Sequence, residues 1–494
     1  LEFYEVRYSG KAATAVRGFR AVYLGLLFNC IIMATVNLAA CKIASVLFGL
    51  NRWQTLLAVG LLNVVFAAHS GLWGVLVIDM FQFFIKMAAV IAAAYFAVML
   101  PQVGGMSGLI EKLSHRVGPG GVNYLNMMPD FSNTWDLALA VFVMPLLVQW
   151  WAVWYPGAEP GGGSYIAQRM LASKSEKDAL GGTLFFNLAH YILRPWPWIL
   201  VGLASLIVYP ELSDIRKAFP HVNPALVGHD MGFPAMLKFL PAGWIGLMVG
   251  GLVAANSSTI LTHLNWGASY LVHDFYRRFW RKNETEKHYV MAGRMATILL
   301  FVLSSSLVFV LESALDSFNI ILQVGAGTGL LYLLRWFWWR ITAWCEIVAM
   351  IGSFGISVIL LVLHRNGFVL TTSKQLLLTV AGTTVLWLLT AFLGPKTDQK
   401  TLIAFYLKVR PFGPGWTPIR KAAGISDAEA ASHSQKENVP LAMLGWVTGC
   451  AVIWSGLFLV GNVLYGRIGY SVALAAVFTV SGLVLIRTIR KLWT

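Results

Sequence analysis

Residues 73–100 read WGVLVIDMFQFFIKMAAVIAAAYFAVML, a stretch of 28 residues with only two charged side chains, Asp79 and Lys86. A helix of about 20 apolar residues crosses the roughly 30 Å hydrocarbon core of a bilayer. The stretch is therefore long enough to span a membrane with some tilt. It predicts a membrane-spanning helix that carries an acid and a base within the apolar run.

The whole chain has the composition of a protein dissolved in lipid. Its 494 residues are 57% hydrophobic and 12% charged, and the mean hydropathy is +0.68. A soluble domain usually carries about 25% charged residues, so this chain cannot cover a water-facing surface. Within lipid, only helices and closed barrels satisfy the hydrogen bonds of the backbone. The apolar stretches are nearly continuous and do not alternate with period two, so helices are predicted.

The hydropathy pattern predicts an all-α polytopic membrane protein with about twelve spans. Polar residues fill 395–439, which is predicted to be a cytoplasmic linker with a short helix near 420–432. The predicted spans are 17–48, 54–69, 73–100, 133–155, 181–208, 242–272, 290–311, 316–335, 343–363, 374–393, 440–463 and 468–486.

The formal net charge of +15 lies mostly in alternate loops between the apolar spans. Basic loops stay on the cytoplasmic side, so both ends of the chain are predicted to be cytoplasmic in a multi-pass protein of the plasma (inner) membrane. The partner implied is the lipid bilayer and not a nucleic acid, because the basic residues do not share one soluble face. The sequence indicates no oligomeric state.

No enzyme or metal-cluster motif stands out. The chain has no H-E-x-x-H, P-loop or G-x-S-x-G pattern, and its four cysteines lie far apart within apolar spans. Cysteines in that pattern pack as small apolar residues. An enzyme is therefore not predicted, although convergence of His190 or His263 with a carboxylate would favour one.

Polar residues inside the spans are the candidate functional residues. An intramembrane carboxylate such as Asp79 is costly unless it is paired or wetted, which suggests a function; the alternative is an interfacial acid near the cytoplasmic start of the third span that reaches headgroup water. Ser258 and Thr259 are adjacent hydroxyls in one apolar span. They either supply oxygens to a sodium ion, since hard cations prefer oxygen ligands, or bond back to carbonyls four residues earlier.

A solute pocket has weaker candidates. Tyr191 and Arg194 precede two prolines, which open a helix by removing N–H donors. Arg194 has a structural interpretation, in which it caps the freed carbonyls or reaches the outer surface. In the functional interpretation it binds an anionic or polyhydroxylated solute. Three further candidates either line a cavity or belong to an interfacial aromatic belt: Gln149, Trp150 and Trp151. Gln323 is also a pocket candidate, because the glycines that follow it permit an irregular helix, although Gly325 and Gly329 are equally consistent with close helix packing.

Four motifs in order resemble the sodium:solute symporter family. They are LEFYEVRY at 1–8, GLWGVLVIDMFQ at 71–82, YIAQRMLASK at 165–174, and AANSST at 254–259 followed by DFY at 274–276. The resemblance covers roughly residues 1–390. It implies a five-plus-five inverted-repeat core with sites where helices break, and it implies that the first two core helices are absent from this chain.

The resemblance also implies a domain division and a sodium site. The core would be 1–394, with a partial first repeat at 1–101, a second repeat at 131–340 and extra helices at 341–394. The linker 395–439 and a helix pair at 440–494 would follow. Sodium, the coupling ion, would be bound by Ser258, Thr259 and the backbone oxygen of Ala255, with Asp79 in a second sodium site shared with that helix or on the exit route.

The function implied is sodium-coupled symport of a small organic solute by alternating access. Tyr191 stands near the place of a sugar-binding lysine in the galactose symporters, so a galactose-like solute is not directly supported. A proton-coupled transporter, or a channel-like conductor that uses Asp79 as a relay, is the alternative, and a membrane-embedded enzyme is a more remote one.

Overall fold

The computed structural model describes most of the chain as helix. It describes residues 1–67, 72–118, 121, 123–144, 147, 170–311, 313, 321, 325–368, 370–411, 413–426, 429 and 438–493. Within this described part, extended pairing is limited to one isolated bridge between Val117 and Asn123.

The helices are bounded by ordinary capping chemistry. Hydroxyls of Ser175, Thr285 and Thr371 accept hydrogen bonds from backbone N–H groups in the first turns of the helices that follow, which satisfies donors that the helix itself leaves free. We number the main helices α1 Phe3–Arg7, α2 Gly10–Phe48, α3 Arg52–Ala67, α4 Leu72–Val98, α5 Gly105–Ser114, α6 Trp135–Ala138, α7 Glu176–Val208, α8 Leu212–Ala218, α9 Gly232–Met236, α10 Ala242–Trp280, α11 Glu286–Leu307, α12 Gly329–Phe337, α13 Ala343–Arg365, α14 Thr372–Leu393, α15 Gln399–Val409, α16 Thr417–Ala422, α17 Val439–Leu464 and α18 Ile468–Trp493.

The predicted all-α polytopic fold is confirmed. Nine helices among the described residues are long and apolar enough to cross a membrane, and they fall on nine of the twelve predicted spans. The other three predicted spans are 54–69, 133–155 and 316–335, and each runs into residues outside the description. Helix α3 covers Arg52–Ala67 of the first of them.

Three long helices contain π-helical segments, at Tyr23–Phe28 in α2, Leu188–Leu193 in α7 and Tyr270–Trp280 in α10. A π segment widens the helix locally and often accompanies function. In α7 the segment ends at Arg194, directly before Pro195, and the helix resumes there. The predicted opening of this helix by its prolines is therefore present in the structure.

The chain groups into two compact units, each built from several stretches. One unit comprises Leu1–Leu38, Pro129–Arg169 and Thr259–Ala430, and the other comprises Ala39–Met128, Met170–Ser258 and Ala431–Thr494. This grouping is by spatial contact and does not test the predicted division into repeats, linker and terminal pair, which stays a prediction.

In the first unit, the segment after α14 is folded onto the start of the chain. Helices α15 and α16 bury Phe405 and Trp416 against Phe3 and Trp336, and the guanidinium of Arg7 stacks on the Phe405 and Trp416 rings. The sequence predicted a linker with a short helix near 420–432. The structure places helices at Gln399–Val409 and Thr417–Ala422, where aromatic side chains far apart in sequence bury one another. Most of 427–437 lies outside the described residues, so the helix near 420–432 stays a prediction.

In the second unit, helix α4 lies in the core. Ala89, Ala93 and Ala97 are fully buried along one face of α4, and they pack with residues from α7, α10 and the loop helices α5 and α9. Small side chains allow helix backbones to approach closely in a membrane. Phe81 and Tyr95 on the opposite face are exposed, as expected for a lipid-facing surface.

Candidate functional site

Helix α10 carries the three predicted sodium-site residues of the fourth motif. Ala255, Ser258 and Thr259 are half-buried, while their neighbours Asn256 and Ser257 are buried. Positions 255, 258 and 259 are spaced i, i+3 and i+4, so they lie on one helix face. One face of α10 thus carries the backbone carbonyl of Ala255 and the hydroxyl groups of Ser258 and Thr259 in the middle of the helix.

Helix α4 packs against α10 in the antiparallel direction. The rings of Phe96 and Trp244 lie 6.2 Å apart. Farther along, a Cβ added to Gly251 would lie 3.7 Å from Cα of Lys86. From the first contact to the second, the residue numbers fall along α4 and rise along α10, so the two helices run in opposite directions. A Cβ at this distance makes an ordinary van der Waals contact, so Gly251 and Lys86 mark a point where the two helices touch.

The register of this contact relates Asp79 to Ser258. Asp79 lies seven residues before Lys86, and Ser258 lies seven residues after Gly251. Seven residues are about two helical turns, or ~10 Å along the axis, and they return to nearly the same face. Because the helices are antiparallel, both positions lie at a corresponding depth beyond the Lys86–Gly251 contact. The side chain of Asp79 itself lies outside the described part of the structure.

Gln82 adds an oxygen on the same face of α4. It lies one turn after Asp79 and one turn before Lys86, and its Oε1 atom is buried. Among the described residues, this oxygen accepts no hydrogen bond. A buried unpaired carbonyl oxygen is costly, so it fits a position that a cation or water would satisfy. The predicted second ligand region therefore holds a hard oxygen donor.

An asparagine–histidine pair fixes the helix on the other side of the motif. Asn29 Nδ2 donates to the backbone oxygen of His263 over 2.7 Å, and His263 Nδ1 lies 2.5 Å from Asn29 Oδ1. Both residues are buried. His263 lies one turn after Thr259, so the pair ties α10 to α2 next to the hydroxyls. No partner for His263 could be predicted from the sequence, because Asn29 is 234 residues away.

The predicted solute-pocket residues are only partly described. Tyr191 and Arg194 lie in the π segment of α7 and at its end. The Nη1 atom of Arg194 lies 3.0 Å from Nδ1 of His190, whose ring stacks on Phe186 at 5.0 Å. Four further candidates lie outside the described residues: Gln149, Trp150, Trp151 and Gln323. Their roles stay predictions.

The described geometry is that of a polytopic helical membrane protein. Two helices, α2 and α10, are 39 residues long and contain π segments, within α2 and at the end of α10, and oxygen-bearing residues occupy mid-helix positions on α4 and α10. Residues 2–353 match the Sodium:solute symporter family. The chain belongs to this family, which confirms the resemblance drawn from the four motifs.

Individual relatives are distant. The sodium/glucose cotransporter of Vibrio parahaemolyticus is 25% identical over 361 residues, which covers 71% of this chain and 64% of that protein. The bovine sodium/myo-inositol cotransporter 2 is 28% identical over 267 residues, 50% of this chain and 37% of that protein. The chain thus spans less than two thirds of the length of these relatives.

A solved structure shows the fold. It is the substrate-bound, outward-open state of a Na+-coupled sialic acid symporter, and it aligns with a TM-score of 0.55 at 17% identity. The alignment covers 80% of this chain and 77% of that chain. The predicted transporter fold is therefore confirmed at the level of architecture.

Proposed function

We propose that the protein couples the inward movement of sodium to the uptake of a small organic solute by alternating access. Family membership supports the general activity. Relatives named as sodium/glucose and sodium/myo-inositol cotransporters support a polyhydroxylated solute of that size as the first class to test. The observation that carries the proposal is the facing of α4 and α10, with the buried Gln82 oxygen on one helix and the hydroxyl motif on the other.

The proposed ion site uses the face of α10 defined above. Ser258 and Thr259 would supply hydroxyl oxygens, and Ala255 would supply its backbone oxygen. Asp79 and Gln82 on α4 would bind the ion on its way out or form a second site. Hard oxygen donors of this kind suit a small cation such as sodium.

Coupling would follow from differential binding. A ligand shifts a two-state equilibrium only through a difference in its affinity for the two states. Sodium bound to the α10 hydroxyls would stabilise the outward-open state and prepare the solute pocket, for which Tyr191 and Arg194 remain candidates. Closure and inward opening would then weaken the ion site and release the ion past Asp79.

Uptake into proteoliposomes tests this proposal. The full-length gene product would be assayed with radiolabelled glucose, myo-inositol, proline and a carboxylate, with and without an inward sodium gradient. We expect sodium-dependent uptake of at least one solute, and loss of the sodium dependence in Ser258→Ala/Thr259→Ala. The matched control is Thr297→Ala/Ser306→Ala on α11, whose hydroxyls bond to their own helix carbonyls.

The outcomes separate the alternatives. Uptake that follows a proton gradient and ignores sodium would replace sodium coupling with proton coupling, and Asp79→Asn should then abolish it. Unchanged sodium dependence in the Ser258/Thr259 variant would remove these two residues from the ion site. A cytoplasmic location of both chain ends, in the plasma (inner) membrane, remains a prediction from the charge distribution.

A further inference from the structure

A charged cavity lies where the beginning of α2 meets the end of α10. Arg17 on α2 binds Asp274 on α10 with nitrogen–oxygen distances of 2.6 and 2.7 Å. Eleven residues earlier on α10, His263 binds Asn29 of α2. The two helices are therefore antiparallel, and the α10 end lies beside the α2 start.

This meeting point lies outside the hydrocarbon core. Each helix has 39 residues, or about 58 Å at 1.5 Å per residue, against roughly 30 Å of hydrocarbon. Charged residues are concentrated in the last turns of α10 and are almost absent from its middle. The α2 start and the α10 end are therefore at the depth of the lipid headgroups.

The cavity has a volume of about 710 Å³, within the range of roughly 300–1,000 Å³ that is usual for small-ligand sites. Several of its lining residues are exposed, so it opens at the surface. Its main lining side chains are Arg17, His273, Arg277, Arg278, Phe279 and Lys282.

The lining carries four cations and one carboxylate, that of Glu2. Behind it, Glu5 accepts hydrogen bonds from Arg17 and Arg278 and compensates part of their charge. Arg277 is paired with Glu286 at 3.2 Å, whose side chain is 76% exposed. Among the described residues, no carboxylate lies within ion-pair distance of Lys282. Lys282 is thus the cation open to a ligand, whereas Arg277, which also lies over the Tyr289 ring at 4.4 Å, would exchange its exposed Glu286 partner for one.

Aromatic side chains complete the rim. The ring of Phe279 packs closely on Gly18, where an added Cβ would come within 2.6 Å of it. Trp280 next to it is 74% exposed. Exposed aromatic residues beside basic ones are typical of the membrane interface, and basic clusters there attract anionic headgroups.

We propose that this cavity binds a phosphate-type anion, and that the headgroup of an anionic phospholipid is its source. Arg277 and Lys282 would contact the phosphate, and the Glu5–Arg17–Asp274 ion pairs would hold Arg278 at the wall of the cavity. Phe279 and Trp280 would pack against the glycerol and the upper acyl chains. The proposal concerns binding at the end of α10 and is independent of the transported solute.

Thermal stabilisation of the purified full-length protein in a neutral detergent tests the proposal. The probes are dioctanoyl phosphatidylglycerol, dioctanoyl phosphatidylcholine and inorganic phosphate, each titrated to give an apparent Kd. The test variant is Arg277→Gln/Lys282→Gln. The matched control is Arg281→Gln/Lys287→Gln, which removes the same charge after the end of α10 and at the start of α11, at residues that do not line the cavity.

We expect phosphatidylglycerol, and not phosphatidylcholine, to raise the Tm. Its apparent Kd should rise roughly 10- to 30-fold in the test variant, from the loss of two basic contacts, and stay unchanged in the control. Saturable stabilisation by inorganic phosphate with the same variant dependence would support the site and make free phosphate its source. An equal loss in both double variants, or in neither, would overturn the proposal. Lys282→Gln alone, at an exposed position, serves if the double variant does not fold.

Discussion

Replacing Glu346 by Gln should destabilise the first unit strongly. Glu346 on α13 is fully buried, and its Oε1 atom accepts hydrogen bonds from the Tyr8 hydroxyl at 2.6 Å and from Arg335 Nη1 at 3.0 Å. Arg7 and Arg20 are buried in the same cluster. One carboxylate thus balances part of three guanidinium charges, and the glutamine variant keeps the shape while removing that charge.

The expected cost follows from the burial. Removing one partner of a buried ion pair typically costs about 3–5 kcal/mol, since the other charge stays buried without compensation. At about 2 °C per kcal/mol, the lower end of the range for larger domains, the Tm should fall by roughly 6–10 °C. Tyr8→Phe should cost less, about 1.5–3 kcal/mol, because it removes one hydrogen bond to a charged group.

Tryptophan fluorescence during a thermal scan in detergent, at one fixed scan rate, measures these changes. The control is Glu284→Gln, which neutralises a partly exposed surface carboxylate that lies 3.5 Å from Arg281 and should leave the Tm nearly unchanged. In the double variant the Tyr8→Phe effect should largely disappear, since the hydroxyl no longer meets a charged acceptor. A Tm for Glu346→Gln equal to that of the control would refute the assignment of this carboxylate as the balancing charge.

Two further substitutions test the packing of the second unit. Gly461→Ala should lower the Tm, because the added Cβ would lie 2.0 Å from the Trp196 ring, and over-packing of this kind costs about 1–3 kcal/mol. The control is Gly449→Ala in the same helix, where an added Cβ would have nothing within 4 Å. Asp230→Asn should destabilise the protein more than Lys42→Met does, because it leaves the buried Lys42 ammonium without the carboxylate that binds it at 2.7 Å. Equal Tm values for these two variants would contradict this expectation.

The fold could be predicted from the sequence because lipid imposes a strong constraint. Each helix in a bilayer must satisfy its own backbone hydrogen bonds, so an apolar run of sufficient length almost determines the element. The predicted spans 343–363 and 374–393 correspond to Ala343–Arg365 and Thr372–Leu393. Their ends shift by one or two residues where a cap such as Thr371 begins the helix.

Outside the membrane this constraint is lost. Residues 399–422 contain no long apolar run, and their helices depend on the burial of Phe405 and Trp416 against residues near the start of the chain. Trp416 Nε1 also donates to the backbone oxygen of Trp336 at 2.7 Å. Contacts between positions this far apart leave no periodic pattern in the local sequence, so the segment was predicted to be a linker.

The candidate ion site could likewise be predicted from the sequence only in part. The residue types on each helix could be chosen from the sequence, since hydroxyls and carboxylates within apolar spans are few. Their mutual position could not, because it depends on the register between two helices that are separated by about 160 residues of chain. The Lys86–Gly251 contact supplies that register. Shifting α4 by one residue would turn the Gln82 and Asp79 positions by about 100° away from α10, so the contact at Gly251 decides whether the hydroxyls and the acid can share one cation path.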